Sequence, residues 1–262
     1  MSSSEIEAPS LWRRLRRWWS AWLAAAVGLA AKAKTLLLVL VKAKLFLSFG
    51  SLLLSSFIYG LAFGWAFGVG FIALLFVHEM GHVLALRSRG MKAPAPVFIP
   101  FVGAAIFLSQ HPRSASEEAY VAAGGPVLGF LGSVLALVLS GGGRGSLFGT
   151  LAYFGFFLQA FNLVPISPLD GGRMVAAVDR RLWWVGLPLL GVVVLLTHSA
   201  MGILIGLLVA YQFFLRLRGK EDPAYFDVPP RQRLLTLTVW VVLLALSLGG
   251  MALAGGSGTS WT

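Results

Sequence analysis

Charged residues are absent from long stretches of this chain, and the gaps set its architecture. No Lys, Arg, Asp or Glu falls between Lys44 and Glu79, Glu118 and Arg144, Arg144 and Asp170, Arg181 and Arg216, or Arg233 and the C-terminus. A membrane-spanning helix needs about 20 predominantly apolar residues. Intervals 119–143, 145–169 and 234–254 each fit one span, whereas 45–86 and 182–215 each have room for two short spans joined as a helical hairpin. The pattern predicts an all-α polytopic membrane protein with about seven transmembrane helices.

Basic residues support that count. They cluster at Arg13–Lys44, Arg87–Arg113, Arg173–Arg181 and Arg216–Arg233, while the connections between carry almost none. All four clusters share one side only if both long intervals are hairpins. The positive-inside rule then predicts a cytoplasmic N-terminus and an external C-terminus. Composition agrees: 12% of the 262 residues are charged and mean hydropathy is +0.83, which excludes a disordered chain, a coiled coil and an ordinary cytosolic enzyme. The net charge of +11 sits in these clusters rather than on a face for nucleic acid. Zero cysteines exclude disulfides and thiolate-ligated metals. Within residues 11–23, Leu11, Leu15, Trp18 and Trp22 form one stripe flanked by arginines, an amphipathic helix lying on an anionic leaflet. The alternative there is a signal peptide.

One apolar stretch does not read as helix. Residues 93–110 carry Pro94, Pro96 and Pro100 among Val, Phe and Ile, which favours an extended, re-entrant segment covered by protein. Ser114 to Glu117 has capping-box spacing and starts the next helix. Glu117 and Glu118 are then structural acids at a helix N-terminus. Glycines at 60, 64 and 68 and the Gly124-Gly125-Pro126 run read as close helix packing and turns.

The chemistry lies in His78-Glu79-Met80-Gly81-His82. On a helix, positions i and i+4 share a face, so both imidazoles reach one metal ion and Glu79 stands beside its bound water. A chance match is expected in well under ~1% of chains this size, and three ionisable groups within an apolar span are costly without a partner. Zinc with two histidines needs another protein ligand. Asp170, in Asn162-Leu-Val-Pro-Ile-Ser-Pro-Leu-Asp170-Gly-Gly, reaches similar membrane depth in the seven-span topology and is the candidate. His111 and His198 read as structural.

These two motifs, with Phe98-Ile-Pro-Phe-Val-Gly103 and Gly124-Gly125-Pro126, resemble the site-2 protease family of intramembrane zinc metalloproteases over residues 45–180. The resemblance implies one Zn2+ per chain held by His78, His82 and Asp170, Glu79 as acid/base, and Asn162 holding substrate or stabilising the oxyanion. The expected substrate is a transmembrane segment of another protein, cut within or near the bilayer of the cell membrane. Such a segment must unwind before hydrolysis, and its exposed backbone then needs partners. Residues 97–107 are a candidate edge strand, with Phe101, Gly103, Ala104 and Ala105 as substrate contacts; the alternative is that they plug the membrane face of the site. The chain divides into a cytoplasmic segment (1–44), a protease core (45–217) and a loop with the last helix (218–262). The competing functions are a transporter or channel using His78, His82 and Asp170 as an ion site, and a non-catalytic scaffold.

The topology is testable because there is no native cysteine. Single cysteines at 144 and 198 should label from outside intact cells, and those at 90, 180 and 220 only after permeabilisation. Opposite-side labelling of 90 and 180 would contradict the seven-span arrangement.

Overall fold

The computed structural model describes residues 46–93, 95–101, 103–105, 112–141, 145–197, 200–218 and 222–255. The predicted surface helix at 11–23, the segment 1–44, and Arg144, His111 and His198 lie outside the described residues. All but the first two described residues belong to one compact unit, Ser48–Thr262.

Helices form in every interval predicted to hold one. In chain order they are α1 (Phe46–Phe63), α2 (Trp65–Ser88), α3 (Ala115–Leu139), α4 (Leu147–Asn162), α5 (Asp170–Ala176), α6 (Trp183–Thr197), α7 (Ala200–Arg218) and α8 (Pro230–Gly255). Between α2 and α3 lie two short strands, β1 (Val97–Ile99) and β2 (Gly103–Ala105). Among the described residues, α1, α2, α3 and α8 have the length and composition to cross a membrane. Their exposed side chains are largely Leu, Val and Phe, an outer surface that suits lipid. The chain is a multi-pass helical membrane protein.

Interval 45–86 folds as the predicted hairpin and turns on one residue. Gly64 has φ 89, a left-handed conformation open to glycine at little cost. Beyond it α1 and α2 approach closely: a Cβ on Gly68 would lie 2.5 Å from Gly60 N and 2.8 Å from Gly60 Cα. The same device joins α2 to α3. A Cβ on Gly124 would lie 2.5 Å from Gly81 O and 2.8 Å from the Ala85 Cβ, and one on Gly81 would overlap the Gly124 carbonyl. The glycine within His78-Glu79-Met80-Gly81-His82 therefore lets α3 pass directly behind the histidine face.

Interval 145–169 departs from expectation. Its helix, α4, ends at Asn162 rather than running to 169. Pro165 and Pro168 lack a backbone N–H and disfavour helical residues before them, so the chain turns over 163–169 and restarts as α5 at Asp170. This turn and the start of α5 are each held from outside by an indole. Trp240 of α8 donates to Leu163 O (2.8 Å) and Trp183 of α6 to Gly172 O (2.7 Å). A Cβ on Gly171 would overlap the Leu163 carbonyl, which explains the glycine after Asp170.

The 93–110 stretch is extended where described. β1 and β2 pair antiparallel in the register Val97–Ala105, Phe98–Ala104, Ile99–Gly103. Phe98 is buried against Ile72 and Leu75 of α2. Ser51 of α1 accepts the Phe98 N–H (2.9 Å), and Ser48 donates to Pro96 O. At the start of α3, Ser114 caps Glu117 N (3.2 Å), while the Glu117 carboxylate accepts from Arg113 N (2.7 Å). This is the capping-box reciprocity moved back by one residue.

Candidate metal centre

Three side chains converge between α2 and the start of α5. His78 Nε2 lies 3.2 Å from His82 Nε2, and each lies 3.2 Å from Asp170 Oδ2. All three residues are buried. The i, i+4 spacing on α2 brings the imidazoles together, and the proline turn brings Asp170 to them from some ninety residues away. Tetrahedral bonds of about 2.0 Å put neighbouring ligand atoms about 3.3 Å apart, close to every edge of this triangle.

The hydrogen bonds behind the rings decide what the triangle attracts. His82 Nδ1 faces the Val121 carbonyl (2.9 Å), which only accepts, so this nitrogen carries the proton. His78 Nδ1 faces Gln159 Oε1 (2.7 Å), and Gln159 Nε2 is turned away to donate to Gly155 O (3.3 Å). With both Nδ1 atoms donating, the Nε2 atoms of the neutral rings turn their lone pairs to the carboxylate oxygen. Three such groups at contact distance, each ring oriented by a hydrogen bond from behind, form an arrangement able to receive a cation. Gly125 keeps the space clear: a Cβ there would lie 2.7 Å from His78 Nε2 and would overlap the His82 ring.

Glu79 is buried beside the histidines. One ligand atom from each of His78, Glu79 and His82 lies within 4.8 Å of the others, a group able to hold a metal ion. Two carboxylates thus flank the imidazoles, and Asp170 is the one equidistant from both nitrogens. Asn162 ends α4 and donates its amide to Leu158 O (2.9 Å) within its own helix. Phe101, at φ 63, packs its ring against Tyr59 (5.0 Å) and Phe63 (6.5 Å) of α1. Gly103, Ala104 and Ala105 form β2. The structure brings His78, Glu79, His82 and Asp170 together; Asn162, Phe101 and β2 lie on neighbouring elements.

Gln159 was not singled out by the sequence, although it left a trace. It is one of two amide side chains, three residues apart, in the apolar α4, and its side chain is fully buried. The Val121 carbonyl left none, since any residue supplies one. If Gln159 orients His78, Gln159→Leu should weaken metal binding about 10–100-fold, measured by competition with a chelator. Gln159→Glu, which keeps an acceptor, should lose less. Equal affinity in Gln159→Leu and the unsubstituted protein would contradict the assignment.

Residues 66–144 match the family described as peptidase family M50. A zinc metalloprotease of Methanocaldococcus jannaschii is 30% identical over 115 residues, 40% of this chain and 33% of that protein. The "Probable zinc metalloprotease EGY2, chloroplastic" of Oryza sativa subsp. indica is 27% identical over 224 residues, 66% of this chain and 40% of that protein. This chain thus spans about a third to two fifths of the length of these relatives. A solved site-2 protease from Methanocaldococcus jannaschii aligns with TM-score 0.47 and 21% identity, over 67% of this chain and 90% of that one. Over residues 66–144 the chain is thus similar to peptidase family M50, and these relatives are described as zinc metalloproteases.

Proposed function

We propose that this chain is an intramembrane zinc metalloendopeptidase that hydrolyses peptide bonds in transmembrane segments of other proteins, within or near the bilayer. The observation that carries the reading is the acceptor triangle of His78, His82 and Asp170 with Glu79 beside it. His78, His82 and Asp170 would hold one zinc ion, which when bound acidifies a water and polarises the scissile carbonyl. Glu79, left outside the triangle, takes the water's proton and delivers it to the departing amine nitrogen. Asn162 has two amide hydrogens, and Leu158 O engages its Nδ2 group. A second hydrogen remains to steady substrate or a developing oxyanion.

The seven-span topology with a cytoplasmic N-terminus belongs to the same reading, with 45–217 as the protease core in the cell membrane. The strand pair supplies a place for unwound substrate. The Phe98 N–H goes to Ser51, so the Phe98 backbone faces away from β2. Antiparallel alternation then turns its register partner Ala104 outward on the opposite edge. Ala104 offers one N–H and one C=O to an extended chain, while Gly103 and Ala105 bond to β1 and Phe101 fixes the turn on α1.

A single panel tests these roles on a transmembrane reporter, read as cleavage rate beside zinc content per chain. Glu79→Gln should lower the rate about 100-fold or more and keep zinc near one per chain. Asp170→Ala should lose zinc and activity together. Ala104→Pro should slow cleavage while zinc is retained. Full activity in Glu79→Gln would rule out the mechanism, and zinc lost from Glu79→Gln but kept in Asp170→Ala would exchange the two carboxylates. Unimpaired turnover in Ala104→Pro would leave the strand pair as a plug.

A further inference from the structure

A second polar cluster lies partly buried at the N-terminal end of α3, one to two turns from the groups that support the metal site, and the catalytic reading does not use it. Arg216 of α7 forms a two-pronged pair with Glu118: Nη1 lies 3.3 Å from Oε1 and Nη2 3.0 Å from Oε2. Tyr225 donates its hydroxyl to the same carboxylate (2.7 Å), and Arg173 Nε stands 4.0 Å away. The Arg216 side chain is 20% exposed and that of Glu118 14%. Such a pair is weak evidence for stability, because removing both charges from water offsets much of their attraction. Its geometry carries more information than its charge.

Arg216 Nη1 makes a further bond, to Ser167 Oγ at 3.2 Å. Ser167 is 1% exposed and stands three residues before Asp170, between the two prolines of the turn. Arg173 stands three residues after Asp170. Glu118 therefore engages the Asp170 segment on both sides, through Arg216 on one and Arg173 on the other. Glu118 also sits one helical turn before Val121, whose carbonyl orients His82, and two turns before Gly125, which clears the pocket. One stretch of α3 thus sets the histidines and, through Arg216, the carboxylate. Resting on the zinc reading above, we infer that Glu118 and Arg216 are positioning residues, a clamp that fixes Asp170 against His78 and His82 by holding Ser167.

The turn needs such a hold. Prolines at 165 and 168 remove two backbone donors, and among the described residues the other hydrogen bonds of 163–169 are local backbone bonds and one from Trp240 to Leu163 O. Arginine suits the task because its planar fork meets a carboxylate and a hydroxyl together, which a lysine ammonium on a flexible stem does less well.

The test measures zinc affinity of the full-length protein in detergent by chelator competition, in two backgrounds. Glu118→Gln/Arg216→Met removes both charges, so neither is left buried alone, and Ser167→Ala cuts only the arm to the turn. Each should weaken zinc binding about 10-fold in the otherwise unsubstituted protein. In an Asp170→Asn background neither should weaken it further, because the clamp acts through that carboxylate. Arg216→Lys should recover part of the affinity. Equal weakening in both backgrounds would make the cluster a general structural element and overturn the inference. Unchanged affinity in both variants would overturn it as well. An unsubstituted protein that takes up no zinc would overturn the metal reading, and this inference with it.

Discussion

The structure depends on holding three hydrogen-bond acceptors in mutual contact inside an apolar protein. Two imidazole nitrogens and a carboxylate oxygen stand 3.2 Å from one another, a contact that is repulsive until a proton or a metal cation is shared among them. In a medium that screens charge poorly, the fold itself must hold the three groups together. Much of the local architecture reads as a response. Glycines at 81, 124 and 125 let α3 pass behind the histidines, α3 and α4 supply the acceptors that fix their tautomers, and the proline turn delivers Asp170.

This constraint accounts for the division of labour along the chain. α2 carries the two histidines and Glu79, α3 and α4 hydrogen-bond the imidazoles from behind, and the last helices contact the segment that bears Asp170. Trp183, Arg216 and Trp240 all lie beyond the matched family segment, 66–144, yet each reaches the 163–172 turn. The match marks where the histidines are, and the site is completed by residues outside it.

Much of this was legible from sequence because hydropathy and metal-ligand spacing are strong local signals. The uncharged intervals located the helices, Gly64 fell where the first hairpin turns, and the prolines of 93–110 announced extended chain. His78, Glu79 and His82 declared themselves by spacing, and Asp170 by being a lone acid at the end of an apolar run. What was hidden depends on tertiary approach. Glu118 reads in sequence as a helix-terminal acid, and its pairing with Arg216, 98 residues away, leaves no local trace. The end of α4 at Asn162 was missed because the apolar run continues through Pro165 and Pro168, so that hydropathy saw one span where the backbone makes a helix and a turn.

In the proposed mechanism His78, His82 and Asp170 form one zinc site with Glu79 outside it. Zinc-edge X-ray absorption on the purified protein tests it most directly, with Glu79→Gln and Asp170→Ala as companions. Such a site gives nitrogen and oxygen neighbours at about 2.0–2.1 Å, outer-shell scattering from two imidazoles, and the same spectrum in Glu79→Gln. A spectrum with fewer than two imidazoles, or one altered by Glu79→Gln and unaltered by Asp170→Ala, would contradict it.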